Sequence, residues 1–190
     1  NRYVGVDHNK KPTKNITEIL FEKGFVNTII STSEITHATP AAFASHVSSR
    51  YEKEKIAEHI YNSKNHIVLG GGTDYFLPIE EGGIREDGVN FVKKIKKNFH
   101  YLETKKDIDN FNYIDRKRIF GLFAEDDLER TEFEPNLLEM LDFSIRESKR
   151  MTADGCKGFF IMAEGSKIDW ASHDNDYEYY LKEMQEFEKT

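Results

Sequence analysis

A short apolar run, Gly158–Ala163 (GFFIMA), constrains the fold more than any other part of this chain. It has no polar break, which is typical of a strand buried on both faces of a parallel sheet. Glu164 follows at the carboxyl end of the predicted strand, which is where ligands bind in open α/β sheets. The run therefore predicts an α/β fold with a candidate site at the carboxyl edge of a mostly parallel sheet.

Two further side chains with metal-binding chemistry follow this strand. Asp169 comes five residues after Glu164, and His173 lies four residues further on. Residues four apart are neighbours on a helix, so a helical turn from Asp169 would place His173 on the same face. A carboxylate with an imidazole suits Zn²⁺, and a lone carboxylate oxygen suits a harder ion such as Mg²⁺. On spacing alone, the alternative is two solvated loop acids and a surface histidine.

The rest of the chain alternates predicted strands and helices, which indicates one sheet with helices on both faces. The other predicted strands are Phe25–Ser31, Ile67–Leu69, Tyr101-Leu102 and Ile119–Phe123. The predicted helices are Asn15–Lys23, Ala41–Arg50, Lys53–Ser63, Val89–Asn98, Lys105–Phe111, Asn136–Met151 and Tyr177–Phe187. Thr39 before Pro40 is a predicted N-cap. Gly70–Gly72 lacks the Lys-Ser/Thr of a P-loop and is predicted to form a tight, close-packed turn.

Composition narrows the class of protein. A chain of 190 residues is long enough for one domain with a real core. We predict a single α/β domain over residues 1–190, with a looser, insert-like region at 72–134. The net charge of −7 argues against a nucleic-acid partner. Cys156 is the only cysteine, and no apolar run approaches the length of a membrane span.

Two motifs, each with several residue types in a fixed order, carry a resemblance to a known family. They are Thr32–Arg50 (TSEITHATPAAFASHVSSR) and Glu164–His173 (EGSKIDWASH), with weaker support from Asn1–Asp7 and from Asn136–Met140 leading into Gly158–Ala163. Together they resemble alkaline phosphatases over most of the chain, and only loosely over 72–134. The resemblance implies a phosphomonoester hydrolase with two Zn²⁺ and one Mg²⁺ that acts through a covalent phosphoserine. Its substrates would be phosphate monoesters.

The resemblance also assigns metal ligands. Thr39 and Glu164 would bind Mg²⁺ through side-chain oxygens, and Asp169 and His173 would hold one Zn²⁺. Considered without the family, Thr39 is a good N-cap whether or not a metal binds.

Three further residues receive roles from the same motifs. Arg50 would clamp the phosphate, for which a planar, bidentate guanidinium is well suited. It lies roughly 16 Å from Thr39 along a straight helix, so the helix would have to bend or the side chain reach back. His37 and Trp170 occupy positions that vary within the family and would modulate the metal and phosphate shells. Their alternatives are a polar loop residue and a lid over the core.

The chain also departs from the family pattern. It contains neither the Asp-Ser-Ala motif of the nucleophile nor the Thr-x-Asp-His-Glu motif that, with a later histidine, completes the two zinc sites of the family. Thr152–Gly155 (TADG) matches only partly, because glycine replaces the histidine and a predicted helix precedes it. We therefore expect a central portion of a larger alkaline phosphatase domain, lacking the nucleophile, inactive alone and weak in zinc binding.

Two rival interpretations remain open at this point. One is another hydrolase of the wider superfamily, such as a phosphodiesterase or sulfatase, or a metal-dependent mutase. These share the Asp-x3-His pair but not the THATPAA segment followed by arginine. The other is a metal-binding module without catalysis. The resemblance predicts a periplasmic or other extracytoplasmic location and is compatible with a homodimer of the full-length protein.

Overall fold

Five parallel strands form the sheet of this protein. The structure, a computed structural model, describes residues 2–112, 115, 117–153 and 155–190. Within them the strands are β1 (Phe25–Glu34), β2 (Ile67–Gly71), β3 (His100–Leu102), β4 (Ile119–Leu122) and β5 (Gly158–Glu164). Their order across the sheet is β3-β4-β2-β1-β5, and every neighbouring pair is parallel. The predicted parallel sheet is confirmed, and all of its carboxyl ends meet at one edge.

Helices cover both faces of this sheet, as predicted. They are α1 (Ile16–Glu22), α2 (Ala38–Ala42), α3 (Lys53–Asn62), α4 (Phe91–Asn98), α5 (Lys105–Asp109), α6 (Leu137–Ala153), α7 (Lys167–His173) and α8 (Tyr177–Glu188), with 3₁₀ turns at Thr73–Phe76 and Ile79–Glu81. Successive residues of a strand face opposite sides. Ile29 of β1 accordingly lies in one core cluster with Ile56 of α3, and Ile30 lies in a second with Phe143 of α6.

The region 72–134 supplies both strands on one side of the sheet. β4 pairs with β2, and β3 pairs with β4 in turn. Helices α4 and α5 belong to the same stretch, and Ile95 of α4 and Ile108 of α5 are buried. This region therefore contributes to the common sheet and to both core clusters.

Strand β5 has the predicted position in the chain but not the predicted burial. It pairs with β1 in register from Phe25↔Gly158 to Ser31↔Glu164. In the described part of the chain, β1 is its only strand neighbour. Met162 is buried, whereas Phe159 is 38% exposed. The expectation of a strand buried on both faces is therefore wrong, because the apolar run lies at the edge of the sheet.

The predicted helix Ala41–Arg50 is also wrong. Helix α2 ends at Ala42 and begins after His37 rather than Thr39, so His37 is its N-cap. The chain leaves the helix because the Phe43 carbonyl accepts hydrogen bonds from two tertiary donors. These are Thr17 Oγ1 at 2.6 Å and Asn65 Nδ2 at 3.1 Å.

The segment after α2 then runs back along the N-terminal arm. Val47 and Val4 form an antiparallel bridge through hydrogen bonds of 3.1 and 2.9 Å. The Arg50 amide donates to the Arg2 carbonyl at 2.8 Å. This return brings Arg50 back towards the start of α2. The separation between Arg50 and Thr39 that a straight helix would impose therefore does not apply.

The three glycines at the end of β2 are close-packed, as predicted, although the strand continues through Gly71. A Cβ atom on Gly71 would lie 2.0 Å from the Asp126 carbonyl oxygen. Gly72 has φ 89°, in the left-handed region that favours glycine. Its amide donates to the same Asp126 carbonyl at 2.8 Å. The glycines thus hold the loop after β4 against the end of β2.

Three ranges named from the sequence lie partly outside the described residues. The residues concerned are Asn1 of Asn1–Asp7, residues 113, 114 and 116 of the region 72–134, and Asp154 of Thr152–Gly155. Thr152 and Ala153 are the last residues of α6, so the helix expected before Gly155 is confirmed. Within the described ranges, no helix is both long enough and apolar enough to cross a bilayer.

Candidate active site

A network of hydroxyl groups fixes Glu164 at the carboxyl end of β5. Ser31 lies opposite it in the β1–β5 register, and Ser31 Oγ donates to Glu164 Oε2 at 3.0 Å. Ser31 Oγ also lies 2.9 Å from Ser166 Oγ, and the Ser166 amide donates to Thr32 Oγ1 at 3.0 Å. These bonds tie the end of β1 to the start of α7. The Glu164 carboxylate is therefore held where the two strands end.

Helix α7 carries Asp169 and His173 on one face, as the four-residue spacing predicts. Asp169 Oδ2 and His173 Nε2 lie 3.6 Å apart. Their side chains are 73% and 79% exposed. The pair presents one oxygen and one nitrogen atom that could ligate a metal, both open to solvent at this edge of the sheet.

Helix α2 approaches the same edge from the end of β1. Thr39 lies in its first turn and is exposed, while Pro40 and Ala41 are buried and anchor the helix. The His37 ring, just before α2, lies 5.6 Å from the Trp170 ring of α7, tilted by 58°. This aromatic contact joins the helices that carry Thr39 and Asp169.

Beside this contact, a hollow of about 260 Å³ opens to solvent. We call it the inner hollow, and it is lined by His37, Ala38, Arg50, Tyr51 and Lys53. Arg50 reaches it because the chain turns back after α2. The inner hollow therefore brings together an imidazole, a guanidinium and an ammonium group next to Trp170.

The charges behind the inner hollow are paired. Glu34, at the end of β1, is 4% exposed and forms an ion pair with Lys53. Burial and a hydrogen bond with Asp126 raise the pKa of Glu34. Burial opposes the charge on Lys53, but Glu34 outweighs it and raises the pKa of the lysine. Burial, and then the Lys53 charge, lower the pKa of His37, so its imidazole is neutral at neutral pH.

Three residues of this site were not predicted from the sequence. They are Glu34, Lys53 and Asp127, whose Oδ1 accepts from the Glu34 amide at 2.7 Å. Burial raises the pKa of Asp127. A signal was present for the two acids, since polar residues follow the apolar parts of β1 and β4 just as Glu164 follows that of β5. Lys53 begins α3 and had no comparable signal.

The donor chemistry fits the expected metals only in part. A carboxylate such as Glu164 suits Mg²⁺, and the pair Asp169 and His173 suits Zn²⁺. Catalytic zinc takes three protein ligands, however, and this pair supplies two. Among the residues that the structure describes, no group of three or more His, Cys, Asp or Glu side chains is arranged to hold a metal. The described residues supply at most part of each ligand set.

Acids, imidazoles and cations lie together at the carboxyl edge of this parallel sheet. Open α/β proteins bind their ligands at this edge, so the fold and the site place the protein in that class. The family model "Alkaline phosphatase" matches residues 1–190. The chain therefore belongs to the alkaline phosphatase family, and the resemblance predicted from its motifs is confirmed.

Relatives and solved structures agree with this assignment. Alkaline phosphatase 3 of Bacillus subtilis (strain 168) is 36% identical over 202 residues, which cover 100% of this chain and 40% of the relative. The alkaline phosphatase structure from the Antarctic bacterium TAB5 superposes with a TM-score of 0.82 at 28% identity, covering 100% of this chain and 53% of that one. A histidine-to-aspartate variant of the TAB5 enzyme, solved with Mg bound in its M3 site, gives a TM-score of 0.80 at 27% identity, with coverages of 100% and 52%. The chain thus spans about 40% of the length of the curated relative.

Proposed function

We propose that this chain carries part of the active site of a metal-dependent phosphomonoesterase. The observation that supports it best is the inner hollow, where Arg50 lies beside His37 and Lys53 at the edge that also holds Glu164. A guanidinium binds two phosphate oxygens at once, so Arg50 is well suited to hold a phosphate group. Because the chain spans only part of its relatives, the activity is proposed for the whole protein.

Residues of this chain would contribute ligands to Mg²⁺ and to one of the two Zn²⁺ ions of such a site. Thr39 and Glu164 would bind Mg²⁺ through their oxygens, and Asp169 and His173 would provide two ligands to Zn²⁺. When bound, such ions act as Lewis acids that stabilise charge on phosphoryl oxygens. The remaining ligands would come from outside the described residues, because the described donors are too few.

The chain's own residues would bind and orient the phosphate. Arg50 would hold two of its oxygens, beside the Lys53–Glu34 ion pair in the wall of the inner hollow. His37, neutral because burial lowers its pKa, keeps a nitrogen lone pair or an N–H for hydrogen bonding. Trp170 packs against the His37 ring and would help to orient it. Ser31 would orient Glu164 by donating to its Oε2.

The nucleophile is a separate part of the proposal. These 190 residues contain no Asp-Ser-Ala motif, so the phosphoserine would form on a residue outside them. We expect the 190-residue chain alone to bind phosphate weakly and to lack turnover, since equal binding of ground state and transition state gives no rate. A periplasmic or other extracytoplasmic location is the expected setting, and a homodimer of the full-length protein is compatible with it.

Hydrolysis of p-nitrophenyl phosphate at alkaline pH tests this function. We expect turnover by the full-length protein, none by the 190-residue chain, and loss of turnover on chelation. Asp169→Ala should lower kcat by at least the roughly 10- to 100-fold that loss of an outer-shell partner of a metal ligand costs. Asp142→Ala, at an exposed position of α6, is the matched control and should leave kcat unchanged.

Two results would contradict the proposal. Full-length activity that resists both chelation and Asp169→Ala would exclude the metal role. Chelator-sensitive turnover by the 190-residue chain would show that it needs no outside nucleophile.

A further inference from the structure

We propose that a tyrosine-lined groove beside Arg50 binds the alcohol part of the phosphate monoester and favours substrates with a neutral aromatic ring. The proposal rests on the proposed function, because Arg50 must first anchor the phosphate. It adds the substrate class, which neither the family assignment nor the metal ligands determine.

The groove consists of two neighbouring hollows that share two lining residues. The inner hollow contains Arg50 and is bounded on one side by Tyr51 and Lys53. A second, outer hollow of about 520 Å³ shares these two residues and extends to Tyr75 and Ile84. A phosphate held by Arg50 would therefore carry its ester group past Tyr51 into the outer hollow.

The walls of the outer hollow suit a flat apolar group. Tyr51 is 74% exposed and Ile84 is 40% exposed, so both offer apolar surface to a ligand. The half-buried Tyr75 ring lies 4.9 Å from the Lys53 ammonium, which the buried Glu34 holds in turn. Tyr75 is thus a fixed wall, and Tyr51 is an open aromatic face. Aromatic rings stack on such faces in offset or edge-to-face arrangements.

The charges around the outer hollow argue against a second anionic group in the substrate. Its polar lining consists of two acids, Glu52 and Glu54, and two lysines, Lys53 and Lys55. Their formal charges cancel, and Lys53 is already paired with Glu34. Lys55 is also paired, because its Nζ lies 3.6 Å from Glu52 Oε2. A ring without charge therefore fits this hollow better than a further phosphate or carboxylate does.

Calorimetric titration of the full-length protein with two non-hydrolysable phosphonates tests the groove. Phenylphosphonate and methylphosphonate share one anionic head group and differ in the ring. We expect phenylphosphonate to bind roughly three- to tenfold more tightly, as a single aromatic contact allows. Tyr51→Ala should reduce this ratio to within about twofold. Tyr177→Ala, at a tyrosine of α8 that is 71% exposed, should preserve it.

The outcomes separate the groove from the phosphate site. Equal affinity of the two phosphonates, or an equal loss of both in Tyr51→Ala, would overturn the groove and leave the phosphate site standing. Loss of the ratio in Tyr177→Ala would also overturn it. Failure of both phosphonates and of inorganic phosphate to bind would overturn the proposed function together with the groove.

Discussion

A histidine lies next to a cation and an open hollow at both the amino-terminal and the carboxyl-terminal ends of the strands. The contacts that these groups make differ between the two ends. At the amino-terminal end, His66 precedes β2 and Arg118 precedes β4, and both line a hollow. At the carboxyl edge, His37 follows β1 and lies in the inner hollow with Arg50 and Lys53. Residue types alone therefore do not distinguish the two ends.

The contacts at the amino-terminal end are made with the backbone. Arg118 donates to the carbonyl oxygens of Asn65 at 2.5 Å and Tyr61 at 2.9 Å, which closes the end of α3. His66 Nδ1 accepts from the Asn27 amide at 3.1 Å. Burial lowers the pKa of Arg118 to about 10, so it stays charged at neutral pH. These polar groups are committed to holding α3 and β1 in place.

The contacts at the carboxyl edge are made mainly between side chains. Lys53 pairs with Glu34, His37 packs on Trp170, and Arg50 faces the inner hollow. The Arg50 amide donates to the Arg2 carbonyl at 2.8 Å, and among the described residues its guanidinium has no hydrogen-bond partner. A candidate site is therefore recognised by the hydrogen-bond donors that remain available to a ligand, and not by the presence of charge. Four substitutions test this difference between the two ends, in decreasing order of their effect on stability.

The largest effect is expected at Arg118. Arg118→Met removes the donors that satisfy the last carbonyls of α3 and should lower the free energy of unfolding by about 3–5 kcal/mol. Arg50→Met is the matched variant. It should lower the free energy of unfolding by less than about 1 kcal/mol, because the hydrogen bond from the backbone amide of residue 50 is kept. Phosphate affinity should fall more in Arg50→Met than in Arg118→Met. Urea unfolding and phosphate titration of both variants measure this, and equal stability losses would contradict the comparison.

The next largest effect on stability is expected from the protonation of His66 as the pH falls. Burial, and then the Arg118 charge, lower its pKa from 6.5 to about 4. Between these values the unfolded chain binds a proton that folded His66 does not, so stability falls as the pH falls from 6.5 towards 4. This histidine should account for at most about 3 kcal/mol of that loss.

The measurement for His66 is urea unfolding between pH 7 and pH 4, in the wild-type protein and in His66→Gln. Glutamine keeps an acceptor for the Asn27 amide but does not titrate in this range. The variant should lose less stability across the window than the wild type. Parallel pH profiles would show that another group carries the acid sensitivity.

A smaller effect is expected at the carboxyl edge. Lys53→Met leaves the buried Glu34 without its ion partner and should cost about 1–2 kcal/mol, reduced by the partial exposure of the lysine. Lys55→Met, in the same helix but more exposed, should cost less than about 0.5 kcal/mol. Thermal unfolding at neutral pH compares the two. A loss for Lys53→Met as small as that for Lys55→Met would indicate that Glu34 is stabilised by other groups.

The sequence predicted most of the fold because its strands are short apolar runs and its helices are amphipathic. It failed at Ala41–Arg50, where alanine-rich composition favours a helix but Thr17 and Asn65 capture the Phe43 carbonyl from distant parts of the chain. It failed again in the burial of β5, because an apolar run does not reveal which strand lies beside it. Tertiary hydrogen bonds and strand order are the two features that local patterns do not encode.

The candidate site was predicted unevenly for a related reason. Glu164, Asp169 and His173 follow a strand directly, so their position could be inferred from the chain alone. Lys53 reaches the inner hollow only because the segment after α2 turns back, which no local pattern indicates. The roles assigned to the predicted residues through the family resemblance stay predictions.

The smallest effect on stability is expected at Asp169, where the effect on metal binding should be large. Asp169 and His173 are exposed and 3.6 Å apart, and exposed ion pairs of this kind contribute little to folding. Asp169→Asn should therefore change the free energy of unfolding by less than about 0.5 kcal/mol in chelator. In the full-length protein without chelator, the same substitution should lower zinc affinity by more than about tenfold, since it removes a charged oxygen ligand. Asp174→Asn, at the end of α7, is the matched control and should alter neither quantity. A large loss of stability in chelator would assign Asp169 to the fold, as with Arg118, whereas unchanged zinc affinity would remove it from the proposed metal site.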